Sequence, residues 1–219
     1  MTIHLQKELS KIKKSILTLG AMVEDRVRLA ALAIETKDAE LAKRVVNSDH
    51  EVDEMEVDIE EECLKILALY QPVAVDLRFL IAVIKINSDL ESIGDQAVNI
   101  AQRVAIIAKQ KKYSFVFDYS VMAQKSQEML KKSLDALVNL DLDLAFRVLV
   151  MDDDVDLIQR QAYDEIKAAM ADAHADSHGY LINLLLVSRH LERLADYATN
   201  IAEEVIYLIE GEIVRHAKV

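Results

Sequence analysis

The stretch Leu90-Glu91-Ser92-Ile93-Gly94-Asp95-Gln96-Ala97-Val98-Asn99-Ile100-Ala101 is answered 101 residues later by Leu191-Glu192-Arg193-Leu194-Ala195-Asp196-Tyr197-Ala198-Thr199-Asn200-Ile201-Ala202. Leu, Glu, Asp, Ala, Asn, Ile and Ala recur in register, and the apolar members stand three and four apart, the spacing of one helix face. A second echo lies upstream at a shift of 103. Leu41-Ala42, Arg44-Val45, Asp49 and Val52-Asp53 answer to Leu144-Ala145, Arg147-Val148, Asp152 and Val155-Asp156. The chain is therefore one helical plan written twice. The repeated residues include carboxylates as well as core apolars, so the repeat carries a site as well as a packing pattern.

The 219 residues include only 4 Gly and 1 Pro, with 52% hydrophobic side chains. Glycine and proline punctuate turns, so a chain this poor in both has few turns and long elements. Only helices use up that length with so few interruptions. The expected fold is all-α: six long helices forming two repeated antiparallel three-helix bundles packed side by side. The first repeat is expected over 1–113 and the second over 114–219. Apolar periodicity gives a first helix from Leu5 to Ile34, a second over 39–70 ending before Pro72, and a third over 76–111. Three more follow over 119–139, 141–173 and 180–215, with 112–118 as the linker between units. The third and sixth helices are apolar over more than one stripe, which places them centrally, where the two bundles meet.

The net charge of −12 argues against nucleic acid, whose binding needs clustered Lys and Arg, and against direct docking on an anionic leaflet. Cys63 is the single cysteine, which excludes an intrachain disulfide and reads as a small apolar helix residue in a reducing compartment. Residues 1–14 carry no secretory pattern and no apolar run reaches membrane-spanning length. A cytoplasmic protein without membrane insertion is expected.

Acidic residues four apart are common on solvated helix faces, so single pairs mean little here. Position about the turns says more. Asp49 and Asp95 each lie 23 residues from Pro72, and Asp53 and Glu91 each lie 19 from it. Residues equidistant from a helical hairpin's turn share a height, so these four carboxylates should line one seam between the second and third helices. About His174, Asp152 and Asp196 each lie 22 residues away, and Asp156 and Glu192 each lie 18 away. The four-residue spacing spreads each set over about 6 Å of helix axis. Asn87 and Asn99 extend the first stripe, and Ser188 and Asn200 the second. Nine acids between Asp49 and Glu62, with no Lys or Arg among them, add to the crowding. A bound cation relieves such repulsion, and carboxylate oxygens suit Mg²⁺, Ca²⁺, Mn²⁺ or iron. The alternatives are compensation by Arg and Lys across the helices, or a solvated face. Asp49, Asp53, Glu91, Asp95, Asp152, Asp156, Glu192 and Asp196 are the candidate metal ligands.

Gln71-Pro72-Val73-Ala74-Val75-Asp76-Leu77-Arg78, followed by Asp89-Leu90-Glu91-Ser92-Ile93-Gly94-Asp95, resembles the PhoU family of bacterial phosphate-signalling proteins. His190-Leu191-Glu192-Arg193-Leu194-Ala195-Asp196 with Asn200-Ile201-Ala202 resembles the family's second repeat, and 207–211 its tail. Ser92 stands where an Arg is usual, Ala195 where a Gly is usual, and the second unit lacks the proline-led turn. The resemblance implies two three-helix bundles carrying multinuclear metal clusters, with iron or zinc in related proteins; manganese and magnesium fit the oxygen donors equally. It also implies a non-catalytic adaptor, probed by two partners: a phosphate-sensing histidine kinase and the ATPase of the phosphate ABC importer. Under phosphate excess such an adaptor represses the starvation response and restrains import. A homodimer is the expected assembly. Two other readings compete. A di-iron carboxylate enzyme or store would use Glu-x-x-His pairs, and no His here has an acid three residues before it. A metal-free helical scaffold would leave the acidic seams merely solvated.

Overall fold

The computed structural model describes residues 3–110 and 115–213. Its elements are α1 (Ile3–Thr36), α2 (Ala39–Asn47), α3 (Asp49–Tyr70), α4 (Val75–Ile107), α5 (Ser120–Asn139), α6 (Leu142–Asp172) and α7 (Ala175–Glu210). The expected second helix is broken at Ser48 into α2 and α3, so the six rods comprise seven helical segments. Asn47-Ser48-Asp49 explains the break, because such side chains compete for backbone hydrogen bonds and favour helix ends over interiors. Ser48 caps α2, donating from its backbone N to the Arg44 and Val45 carbonyls and from Oγ to Val45 O at 3.0 Å. The second unit reads Val150-Met151-Asp152 at the same place, and α6 continues through it.

Turn chemistry repeats between the units. Lys37 and Leu140 both take positive φ, and the next residue caps a helix in each case. Asp38 accepts from Glu40 N and Leu41 N, and Asp141 accepts from Leu144 N. The last helix stops earlier than the expected Arg215. Gly211, at φ 78°, closes α7 with a bond from its N to Tyr207 O, the left-handed cap that glycine forms without a Cβ penalty. The expected end of the third helix at Lys111 and the unit boundary at 113/114 lie outside the described residues, as do 112–114 of the expected linker 112–118.

α4 and α7 form the centre, packed on each other along their length and against the remaining rods of their own units. Their broad apolar surface made that position necessary, since a helix apolar on several sides must be covered on several sides. Leu80, Val83, Ile86, Leu90 and Ile93 are buried on α4, as are Leu181, Leu191, Leu194, Ile201 and Val205 on α7. Polar pairs fix the antiparallel register: Lys85 Nζ–Glu204 Oε1 at 3.1 Å, Asn200 Nδ2–Asp89 Oδ1 at 3.3 Å and His190 Nδ1–Gln96 Oε1 at 2.9 Å. The register centres near Ile93 and Leu194, which are repeat equivalents, so the units face each other about an approximate two-fold. On one side α1 touches α5, whereas α3 and α6 make no contact with each other among the described residues.

Ala74 enters α4 at φ 50° and ψ −117°, a region where Cβ is crowded and glycine is favoured. Ala74→Gly should therefore raise stability by about 1 kcal/mol, read as a higher urea midpoint at unchanged slope. A lower midpoint would contradict the strain.

Two candidate metal seams

The hairpin α3–α4 brings the first four carboxylates together, as their mutual electrostatics show. Asp49 is held above the usual carboxylate range by burial and by Asp53 and Asp95, against Arg26, which pulls it down. Asp95 is raised by burial and by Asp53, again opposed by Arg26. Glu91 is raised by burial and Asp95, with Asp53 and Glu56 adding; the Ser92 hydroxyl, 3.3 Å from Glu91 Oε2, lowers it. The second hairpin, α6–α7, repeats the arrangement. Asp152 is pushed up to about 6 by burial, Asp196, Asp156, Asp153 and Glu192. Asp196 is raised by burial and Asp156, and Glu192 by burial, Asp196 and Asp156. All eight predicted residues thus fall on two seams. For Asp49, Glu91, Asp95, Asp152, Glu192 and Asp196, burial and like charge both penalise the ionised state.

The side chains do not converge into a finished metal centre: no three His, Cys, Asp or Glu among the described residues form a group that would hold an ion as they stand. Donor chemistry nevertheless fits a hard cation on the first seam. Asn87 is fully buried and donates from Nδ2 to Glu56 O at 2.8 Å, while its Oδ1 has no hydrogen-bond partner. A buried acceptor lacking a donor, one turn from Glu91, is an oxygen that a cation would satisfy. Asn87, Asp49, Asp53, Glu91 and Asp95 are the residues that would hold an ion on the first seam, and Asp152, Asp156, Glu192 and Asp196 those that would do so on the second.

Arg26 is the residue that the sequence reading missed. It is 4% exposed, donates from Nη1 to Asp49 Oδ1 at 3.3 Å, and makes a close bond from Nη2 to the Ser48 carbonyl at the break, which also accepts from Glu51 N at 3.4 Å. The signal was present: Arg26 stands three residues after Val23 and beside Val27, on the buried face of α1. Two other titratable side chains are structural. Cys63 is fully buried, and burial together with Glu60 and Glu62 pushes its thiol up to about 12. His190 is pulled down to about 4 by burial, with Arg103, Arg193 and Arg189 adding, and its Nδ1 is engaged by Gln96.

An all-α protein of two repeats, each presenting a carboxylate seam between its last two rods, is the class these features define. The PhoU domain matches residues 16–104 and again 119–205, and the chain belongs to the PhoU family. It is 37% identical to the phosphate-specific transport system accessory protein PhoU homolog of Pseudomonas aeruginosa, covering 95% of this chain and 86% of that one. The Aquifex aeolicus homolog is 36% identical, covering 96% and 95%. The crystal structure of PhoU from Pseudomonas aeruginosa superposes with TM-score 0.89 at 35% identity, over 94% of this chain and 99% of that one. The phosphate transport system regulatory protein PhoU from Streptococcus pneumoniae does so with 0.87 at 33%, over 96% and 99%.

A carboxyl raised from 3.8 to about 6 binds its proton more readily in the folded than in the unfolded chain. Its destabilising effect is complete above the folded value and vanishes below the unfolded one. Chelator-stripped protein should therefore gain thermal stability as pH falls from 7 to 5. Asp152→Asn should flatten that dependence, measured as the melting temperature of both proteins across the range.

Proposed function

We propose that the protein is a regulator of phosphate transport and phosphate signalling that acts by stoichiometric binding rather than by catalysis. The observation that carries this reading is full-length similarity, across both repeats, to proteins named as phosphate-specific transport system accessory proteins. Its partners on this reading are the ATPase of the phosphate importer and a phosphate-sensing histidine kinase, and its effect on the starvation response is repression. The protein works in the cytoplasm as a homodimer. Among the described residues no helix is long and apolar enough to cross a membrane, which accords with contact through the partners' cytoplasmic parts.

In this reading each seam holds metal ions: iron, zinc, manganese or magnesium. The ions supply positive charge to two carboxylate rows that repel one another. The chain's own part is to fix those carboxylates as level pairs along each seam, partly or fully exposed, and present an acidic helical surface whose charge changes with occupancy. A surface so altered changes which partner potentials it complements, and complementarity sets encounter rates and partner choice. Arg26 favours a second reading for the first seam alone, in which an internal guanidinium supplies the compensation and no ion is needed.

Two experiments separate these readings. Deleting the gene should raise phosphate-starvation gene expression under phosphate excess; unchanged expression would remove the regulator reading. Asp95→Asn combined with Asp196→Asn should lower metal content in protein purified without affinity resin or chelator, while circular dichroism stays helical. Each change removes a like charge at similar volume, so stability of the stripped protein should hold or rise. Global unfolding would instead mark the residues as structural.

A further inference from the structure

The two seams are not copies of each other, and the difference lies in the helix behind them. At a shift of 103, the buried face of α1 maps onto that of α5: Leu19 on Met122, Val23 on Ser126, Val27 on Leu130 and Ala33 on Ala136. The same shift carries Asp49 onto Asp152. It also carries Arg26 onto Met129, which is fully buried. A permanently charged guanidinium in one unit is therefore an apolar thioether in the other.

Neighbouring positions differ in step. Ser48, whose carbonyl accepts from Arg26, is Met151 in the second unit, where the helix is unbroken and the carbonyl stays within it. Gly94 lies beside the guanidinium, where a Cβ would make an ordinary contact 3.5 Å from Arg26 Nη1. The break at Ser48 and the arginine form one arrangement, which seats a cation against Asp49 from inside the fold.

Charge follows from this. The first seam sets four carboxylates against one buried guanidinium, whereas the second has four carboxylates and, among the described residues, no buried cation. Positive groups do stand near the second seam, but in water. Arg160 lies 3.8 Å from Asp156 with its side chain 65% exposed, and Arg189 and Arg193 are exposed on α7. Solvent and salt screen such groups, while a buried one is screened far less.

We infer that Arg26 is an internal counter-cation that makes the first seam the weaker of two metal-ion sites, and that the second seam, with Met129 in its place, fills first. The inference rests on the metal reading above, which it deepens by assigning an order of occupancy and the residue that sets it. An entering divalent ion meets the guanidinium charge already at Asp49. At about 6 Å and a water-like dielectric, that repulsion alone is on the order of tenfold in affinity.

The test is a calorimetric Mn²⁺ titration of the chelator-stripped full chain. Wild type should show two classes of site separated by on the order of tenfold or more. Asp196→Asn should weaken the tight class, and Asp95→Asn the weak one. Arg26→Met, which copies the second unit's own residue, should tighten the weak class towards the strong one. Arg26→Gln, which drops the charge but keeps a donor for the Ser48 carbonyl, should do the same and covers a folding failure of the Met variant. Two equal classes in wild type, or a weak class that neither variant tightens, overturns the role of Arg26 while leaving the metal reading intact. No Mn²⁺ uptake by wild type overturns both.

Discussion

Four carboxylates held as two level pairs on one seam between two helices repel one another, and the structure accepts that arrangement twice. The rest of the architecture can be traced to it. Equal heights demand that each hairpin keep a fixed register over about five helical turns on either side of its tip. That register demands long, uninterrupted partners, and α4 and α7 supply them as the two most deeply buried rods. Their antiparallel pairing, pinned by Lys85–Glu204, Asp89–Asn200 and Gln96–His190, locks one hairpin to the other. The apolar core thus absorbs the cost of keeping like charges together, since the hydrophobic term is non-directional while the seams require specific positions.

Much of this was legible in the sequence. Scarcity of Gly and Pro gave the fold class, the 101- and 103-residue echoes gave the two units, and equidistance from Pro72 and His174 gave the carboxylate partners. Two features escaped. The break at Ser48 turned on competition between local side-chain bonds and the helix ladder, which periodicity does not register. Arg26 escaped because a charged residue on an apolar face reads as a surface interruption until its partner is known. Its partners, the Ser48 carbonyl and Asp49, both lie at the break. The end of α7 was misplaced because the apolar pattern continues through Ile213 and Val214, whereas Gly211 stops the helix by backbone conformation.

Repetition also explains how one fold can carry two different sites. Leu19, Val23, Arg26, Val27 and Ala33 of α1 and their equivalents on α5 are all buried, so the packing tolerates either Arg26 or Met129 in the same slot. Side chains of similar length fill the same space and differ in charge. Function can therefore diverge between the units without disturbing the frame that positions them, which is the sense in which sites are grafted onto folds. A regulator built this way could have one seam occupied constantly and the other responsive to cation supply.

The most direct measurement of the central claim is anomalous diffraction from crystals of the protein grown with Mn²⁺ and collected at the metal's absorption edge. The account predicts anomalous peaks between α3 and α4 beside Asp53, Glu91 and Asp95, and between α6 and α7 beside Asp152, Asp156, Glu192 and Asp196. At limiting metal, the stronger peak should lie on the second seam. Peaks elsewhere, or none on either seam at saturating Mn²⁺, would contradict it.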